Sequence, residues 1–282
     1  EQSKSYFESV RNSQKYGAQA KYYIGYMAYE SDNYEDANAM FDQAKKEGVS
    51  GRNMSYFQSD MNFKLGKFEK AIAQGKEQLD RSNAMERSQL NKIIGESYFN
   101  LEQYNEAIPY LKEYRGERGK WNNTDYYQLG YAYYKAQEND NAISEFNKII
   151  DGNDFVAQNA YYHLAKSYLK VDKKTQALNA FKNASEMDFD QKIKEDAMLN
   201  YAKLSYEIGN NYLPVPQVLQ NYLEAYPRSE QADEIGELLI DSYITSKQYE
   251  EAIQMLEGNS AFEDKKAYQK VTYLYAIELY KA

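Results

Sequence analysis

The chain has 282 residues, of which 43% are hydrophobic and 27% are charged, a balance typical of a chain that folds around a hydrophobic core. Its 34 basic and 43 acidic residues give a net charge of −9, which disfavours general nucleic-acid binding because phosphate neutralisation needs concentrated Lys and Arg. The absence of cysteine and the single histidine exclude disulfides, thiol catalysis and cysteine-ligated zinc, and no stretch approaches the roughly 18 consecutive apolar residues of a membrane span.

A recurring residue pattern divides the chain into units of similar length. In the first half of each unit, an apolar residue, a small residue and a further aromatic residue recur at fixed spacing, most clearly as YYQLGYAY in residues 126–133 and YYHLAKSY in residues 161–168. In the second half an alanine recurs, and consecutive alanines are separated by 34, 36, 35 and 35 residues: Ala37, Ala71, Ala107, Ala142 and Ala177.

This pattern resembles the tetratricopeptide repeat (TPR), a helix–turn–helix unit of about 34 residues. The resemblance covers essentially the whole chain. It implies an all-α fold, a right-handed α-solenoid of about seven helical hairpins with partial repeats at both ends, and we expect a fragment of a longer array. The predicted units are approximately 1–16 (partial), 18–50, 52–84, 88–120, 123–154, 158–190, 195–228, 232–260 and 265–282 (partial).

Each part of the pattern has a physical reason. The small residue lets two helices approach closely, and turn residues such as Asp32 and Asn33 end one helix and begin the next. The second unit departs from the pattern at Gln58–Ser59 and at Gly75, and the sixth carries two prolines that predict an extended connection before a shorter helix. The small residues are Gly25, Gly95, Gly130 and Ala165, and the prolines are Pro214 and Pro216.

In proteins with this repeat, the first helices of successive units line a concave groove. The resemblance implies that residues three before, one after and four after the small residue face it, which predicts a tyrosine-rich surface suited to an extended peptide or a helix. At single positions we expect the rings to pack on the next repeat, whereas the Tyr127, Tyr131 and Tyr134 row is expected to contact a partner. The predicted groove residues are Tyr22, Tyr26, Tyr29, Tyr56, Phe63, Lys92, Phe99, Tyr127, Tyr131, Tyr134, Tyr162 and Lys166, with Asp60, Glu96 and Leu169 at equivalent positions.

The composition of this groove disfavours two other kinds of site. A carboxylate clamp for peptide C-termini needs Lys, Arg and Asn, whereas Lys92 and Lys166 are isolated here. His163 has no nucleophile beside it and is interpreted as structural, and the glycines form no phosphate-binding loop. The sequence therefore predicts no enzyme activity, no catalytic residue, no cofactor and no metal.

A basic and aromatic segment joins the third and fourth units. It is predicted to be a solvated loop, and its alternative is a site for an acidic partner segment or an anion. The residues of this alternative site are Arg115, Arg118, Lys120 and Trp121.

The leading hypothesis is a scaffold that binds a protein or peptide partner of unknown identity in the tyrosine-rich groove, without nucleic acid. The alternative is a cell-envelope module associated with polysaccharide or peptidoglycan machinery, because the units look similar to bacterial envelope proteins and aromatic faces stack on sugars. Self-association through the terminal helices is a third hypothesis. A periplasmic or envelope location is expected, with a cytoplasmic location as the alternative.

Overall fold

The computed structural model describes residues 2–49, 53–149, 152–258 and 265–281. Their regular structure is helical, with one 3₁₀ turn at Asn147–Ile149 and one isolated β-bridge between Glu117 and Lys120. The helices are α1 (Gln2–Val10), α2 (Gly17–Glu30), α3 (Tyr34–Lys46), α4 (Met54–Lys64), α5 (Phe68–Leu79), α6 (Ala84–Asn100), α7 (Tyr104–Glu113), α8 (Asn123–Lys135), α9 (Asn139–Phe146), α10 (Phe155–Lys170), α11 (Lys174–Ser185), α12 (Gln191–Ile208), α13 (Val215–Ala225), α14 (Ala232–Thr245), α15 (Tyr249–Gly258) and α16 (Lys265–Lys281).

The helices pair in chain order as hairpins. In most pairs, among them α2 with α3, α4 with α5 and α6 with α7, three residues join a first helix to a second helix that packs against it. The chain forms two compact units, Glu1–Glu145 and Phe146–Ala282. The predicted repeat boundaries remain a proposal. No helix in the described ranges is long and apolar enough to span a bilayer.

The first and second helices of a hairpin meet at the small residue that the sequence pattern marks. A Cβ atom added to Gly95 would lie 2.8 Å from Leu111 Cδ2 and 3.0 Å from the backbone nitrogen of Leu111, so α6 and α7 touch there. At Gly25 the added atom would lie 3.1 Å from the Phe41 ring and 3.2 Å from the carbonyl oxygen of Ala37. Because interiors are close-packed, these contacts fix how each hairpin closes.

The hairpin of α4 and α5 achieves the same close approach of its helices with different residues. Ser59 replaces the small residue and is fully buried, and its hydroxyl donates to the carbonyl oxygen of Ala71 at 2.8 Å. A Cβ on Gly75 would lie 2.9 Å from Ser59 Oγ and 2.8 Å from Ile94 Cγ1, so no phenylalanine fits there. The two departures in the sequence therefore compensate each other.

The three-residue turns share one backbone conformation. A residue in the left-handed region stands at the same place in each turn, and the residue after it donates its N–H to the helix carbonyl five residues earlier, as in Gln103 N to Tyr98 O at 2.9 Å. Most of these positions do not hold glycine, although glycine adopts this conformation at least cost. The residues are Asp32, Gly66, Glu102, Gln137, Asp172 and Lys247, with φ between 56° and 69°.

The turn conformation predicts opposite effects of two exchanges. Gly66→Ala is expected to destabilise the fold by about 1 kcal/mol, because alanine pays the left-handed penalty while no atom lies within 4 Å of the added Cβ. Glu102→Gly is expected to stabilise it by about 0.5 kcal/mol. Glycine removes the left-handed penalty in the folded state, and this gain exceeds the cost of the greater conformational entropy of the unfolded chain. Urea denaturation followed by circular dichroism measures both.

Lys67→Ala serves as the control, because Lys67 lies in the same turn with φ of −90° and is exposed. Its effect is expected to stay within about 0.5 kcal/mol. Equal stability of Gly66→Ala and the wild type would contradict this account of the turns.

Candidate functional site

The predicted groove residues lie on neighbouring first helices. We call the row formed by α2, α4, α6 and α8 the first-helix face of the first unit, and the row formed by α10, α12 and α14 that of the second unit. Within each row consecutive helices contact one another, as α4 contacts α6 and α10 contacts α12. A side chain on one first helix therefore reaches the next, about one repeat further along the chain.

On the first-helix face of the first unit, the carboxylate of Asp60 contacts a tyrosine and a lysine where α2 meets α4. Tyr29 Oη donates to Asp60 Oδ2 at 2.8 Å across α2 and α4, and Lys64 Nζ lies 2.9 Å from the same oxygen. Lys64 Nζ also lies 5.3 Å from the centre of the Tyr29 ring, within cation–π range. Burial, followed by the Asp60 hydrogen bond, raises the pKa of Tyr29, so the hydroxyl stays a donor.

The other predicted groove rings of α2 and α4 differ in how much of their surface is exposed. Tyr22 packs on Phe41 with ring centres 5.6 Å apart, and it belongs to the edge of the core. Tyr26 packs against Phe57 at 5.4 Å but keeps 37% of its surface exposed. Tyr56 and Phe63 are half-buried. The Tyr56 ring centre lies 5.7 Å from that of Phe57, and the Phe63 ring centre lies 5.9 Å from that of Phe68.

A buried polar cluster follows on α6 and α8. Lys92 Nζ donates to Asp125 Oδ1 at 2.9 Å, lies 3.9 Å from Glu96 Oε1, and lies 4.7 Å from the centre of the Tyr114 ring. Asp125 also caps α8, because its carboxylate accepts the N–H of Asn122 at 3.0 Å. Lys92 is thus engaged inside the fold.

Glu96 is the member of this cluster whose charged form is disfavoured by burial. It is only 9% exposed, and burial raises its pKa above the ordinary glutamate value, with Asp125 adding to the rise. Lys92 and a hydrogen bond from Gln128 lower the pKa without cancelling the effect of burial. A carboxylate that is hard to ionise here costs stability at neutral pH.

Five rings contributed by α6, α7 and α8 form a group that we call the aromatic cluster: Phe99, Tyr104, Tyr127, Tyr131 and Tyr134. Tyr131 is its centre, with ring centres 5.7 Å from Phe99, 5.8 Å from Tyr104 and Tyr127, and 6.2 Å from Tyr134. All five rings are half-buried, and Lys135 Nζ lies 5.4 Å from the Tyr104 centre at the border. Burial raises the pKa of Tyr127, Tyr134 and Tyr104, so these hydroxyls are neutral donors.

In the second unit, tyrosine–aspartate pairs again join successive first helices. Tyr162 donates to Asp196 between α10 and α12, and Lys166 donates to Tyr162 Oη at 3.1 Å. Leu169 is half-buried on the same helix. Tyr206 Oη donates to Asp241 Oδ2 at 2.6 Å between α12 and α14, and this hydrogen bond raises the pKa of Tyr206.

The sequence prediction omitted several of these partners. The predicted groove residues end in the fifth unit, so they do not include Tyr206 of the sixth unit or Asp241 of the seventh. Tyr104 was missed because it begins a second helix. A usable signal existed for Tyr104, since an aromatic residue recurs there at repeat spacing, as Tyr34 and Phe68.

The segment between α7 and α8 forms a closed turn. Gly116 and Gly119 have positive φ, and Glu117 pairs with Lys120. Trp121 Nε1 donates to the carbonyl oxygen of Tyr114 at 2.9 Å, and the Trp121 ring packs on Tyr126 at 5.2 Å. The basic side chains of this segment are exposed, and they are Arg115, Arg118 and Lys120.

His163 packs within α10 and its surroundings. Its Nδ1 lies 2.8 Å from the carbonyl oxygen of Asn159, and its ring lies 5.2 Å from Tyr162 and 6.3 Å from Phe146. Among the residues that the structure describes, no three acidic or histidine side chains could together hold a metal ion.

The burial of Glu96 generates a pH-dependent prediction. Because its folded-state pKa is raised, ionisation destabilises the fold as pH rises, and Glu96→Gln is expected to be more stable than the wild type at pH 7. Below the ordinary pKa of 4.5 both side chains are neutral, so the gain is expected to vanish. Urea denaturation at several pH values measures it.

Glu102→Gln is the control, since Glu102 is an exposed glutamate just after the same helix. It removes the same charge at an exposed position, and its effect on the free energy of unfolding is expected to stay within about 0.5 kcal/mol. A Glu96→Gln variant that is less stable than the wild type at pH 7 would show that the Lys92 interaction outweighs burial.

Comparison with known proteins agrees with this fold. Family models described as tetratricopeptide repeat match residues 22–84, 93–114, 126–151 and 158–191, together about half of the chain. No curated protein matches the sequence.

Solved structures, two of them described as TPR proteins, resemble the chain at low identity. YrrB, described as a TPR protein with an unusual peptide-binding site, has a TM-score of 0.56 at 20% identity over 68% of this chain and 96% of that chain. The C-terminal part of a TPR protein from Cytophaga hutchinsonii has a TM-score of 0.56 at 18% identity, over 82% of this chain and 92% of that chain. MamA from AMB-1 has a TM-score of 0.52 at 19% identity over 61% and 91%. The repeat matches, the hairpins and these folds agree, and the chain belongs to the tetratricopeptide repeat family.

Proposed function

We propose that this chain is a non-enzymatic scaffold that binds an extended segment of a partner protein along its first-helix face, with the aromatic cluster as the principal contact. The observation that carries the proposal is the arrangement of five half-buried rings around Tyr131 on α6, α7 and α8. Tyrosine offers a large rigid surface and a hydroxyl at low entropic cost, which suits recognition of a protein segment.

The internal contacts of the cluster support binding as well as packing. Each ring is held by its neighbours, so little side-chain freedom is lost when a partner docks on the exposed edges. Burial raises the pKa of Tyr127 and Tyr134, so both side chains stay neutral and a partner that covers them buries no charge. A preorganised surface of this kind is where binding energy concentrates in protein interfaces.

Family membership supports the protein-binding class, and the peptide-binding site described for YrrB is a property of that protein. The alternative of a glycan-associated module gains less support. The only tryptophan, whose ring is best suited to stacking on a sugar, is engaged in the fold through Tyr114 and Tyr126. We therefore test the protein-binding proposal first.

The test compares three baits in a pull-down from extract of the source cells, analysed by mass spectrometry. They are the wild-type chain, a cluster variant with Tyr127, Tyr131 and Tyr134 changed to Ser, and a control with Tyr6, Tyr273 and Tyr280 changed to Ser. The control tyrosines are 75%, 67% and 93% exposed, so the same chemical change there leaves the packing intact. A partner retained by the wild type and the control is expected to bind the cluster variant at least about tenfold more weakly.

A second cluster variant keeps the test decisive if serine disturbs the helices. Changing the same three tyrosines to Leu preserves apolar packing and removes the rings and hydroxyls, and a thermal melt checks that it is folded. Equal capture by the folded leucine variant and the wild type would move the site off the aromatic cluster. Capture of no protein by the wild type would overturn the scaffold proposal and direct the search to oligosaccharides.

A further inference from the structure

The Tyr29–Asp60 pair of the first unit shows how a cation completes a tyrosine–aspartate contact in this fold. Lys64 is the last residue of α4, four residues after Asp60, and its ammonium group lies 2.9 Å from the carboxylate. The same ammonium lies over the rings of Tyr29 and Tyr34, at 5.3 and 4.8 Å. The site therefore consists of one carboxylate, one aromatic wall on each of two helices, and one basic side chain.

The second unit contains the same pair without the cation. Tyr206 donates to Asp241 as Tyr29 donates to Asp60, each tyrosine lying in the last turn of one first helix and each aspartate on the next. Four residues after Asp241, the last residue of α14 is Thr245 instead of lysine. In the described part of the chain, Asp241 has no ion-pair partner.

The basic residue nearest to Tyr206 on α12 and the basic residue that follows α14 are engaged elsewhere. Lys203 pairs with Glu234 at 2.7 Å, and Lys247 pairs with Glu278 at 2.6 Å. Helix α14 itself holds Asp233, Glu234, Glu237 and Asp241 and no basic residue. The surroundings of Asp241 are therefore short of positive charge, which a partner can supply.

In the second unit the aliphatic Val215 begins the second helix, whereas the first unit has the aromatic Tyr34 there. Six residues join α12 to α13, where other hairpins use three, and Val215 begins the second helix between Pro214 and Pro216. Asn210 orders this connection, because its side-chain oxygen accepts the N–H of Tyr212 at 2.7 Å and its amide donates to Tyr201 Oη at 2.7 Å. The longer connection between α12 and α13 is therefore an ordered part of this hairpin.

The result is a cleft of about 650 Å³ beside Tyr206 and Asp241. Tyr206 is 37% exposed and contributes an aromatic ring to the cleft, and the prolines and Val215 contribute apolar surface. The second carboxylate of the cleft belongs to Glu207, which Lys174 already neutralises at 2.5 Å. The residues that line it are Tyr206, Glu207, Pro214, Val215, Pro216, Asp241, Ser242, Thr245, Ser246 and Gln248.

We infer that this cleft binds a lysine or arginine side chain of the partner protein, an inference that rests on the proposed protein-binding function. The basic group of the partner takes the position that Lys64 holds in the first unit: it pairs with Asp241, lies over the Tyr206 ring, and lays its methylene chain along Val215 and the prolines. Charge complementarity and a cation–π contact select a basic side chain over an apolar one of equal length.

The probes are three acetylated and amidated heptapeptides, Gly-Ser-Gly-X-Gly-Ser-Gly, in which X is lysine, arginine or norleucine. They are titrated into the isotopically labelled full chain, and amide chemical shifts are followed by nuclear magnetic resonance. Shifts are expected at the end of α12, the start of α13 and α14. The basic peptides are expected to bind about fivefold more tightly than the norleucine peptide, and less tightly as salt is added.

Variants separate the cleft from general negative charge. Asp241→Asn is expected to abolish the preference for basic peptides, and so is Thr245→Lys, because the new lysine fills the site as Lys64 does. Asp233→Asn makes the same charge change on the same helix outside the cleft and is expected to bind like the wild type. Thr245→Gln controls for side-chain size without charge.

Two results would overturn the inference: equal affinity for basic and norleucine peptides, or an Asp241→Asn variant that retains the preference. Thr245→Lys keeps the test decisive if Asp241→Asn loses its fold. The aromatic cluster lies in the other unit, so partner capture that depends on the cluster, together with a failed peptide titration, contradicts the cleft inference alone. A positive titration with no captured partner contradicts the proposed function alone.

Discussion

Each hairpin of this chain depends on the close approach of its two helices at a small residue. At Gly95 and Gly25 the backbone of one helix touches the side chains of the other, and even one added methyl group would have to displace them. A helical hairpin of this length cannot bury its apolar stripe alone, so its remaining surface packs on the next hairpin. The tilt that the small residue allows determines which side chains of successive first helices meet, and with them the composition of the first-helix face.

In the proposed site, residues of that face stabilise the fold and also offer exposed surface to a partner. A tyrosine hydroxyl reaches the carboxylate of the next first helix, as in Tyr29 with Asp60, and locks two repeats together at about one kilocalorie per mole. The ring that carries the hydroxyl is then fixed with one edge exposed. Packing and partner binding, the two alternatives for each predicted groove ring, are therefore compatible with each other in the proposed site.

Helix positions, turns and the alternation of first and second helices follow from the sequence, because helical periodicity and the repeated alanine depend on contacts within one hairpin. The contacts between hairpins do not follow as directly. Lys92, a predicted groove residue, donates to Asp125 33 residues later, and Trp121, a residue of the alternative loop site, donates to the carbonyl oxygen of Tyr114. Such pairings depend on how far one repeat rotates relative to the next, which no spacing within a single helix encodes.

The tyrosine–aspartate pair also suggests how one repeat can differ in specificity from another without a change of fold. Its two partners stand on first helices whose separation is fixed by packing, while the residue four places after the aspartate lies at a helix end, where substitution costs little. Lysine at that place fills the site from within, as Lys64 does, whereas a short residue such as Thr245 leaves the carboxylate to an outside cation. An array of such hairpins can thus carry closed and open sites side by side, and a single residue at each helix end decides which of them a partner meets.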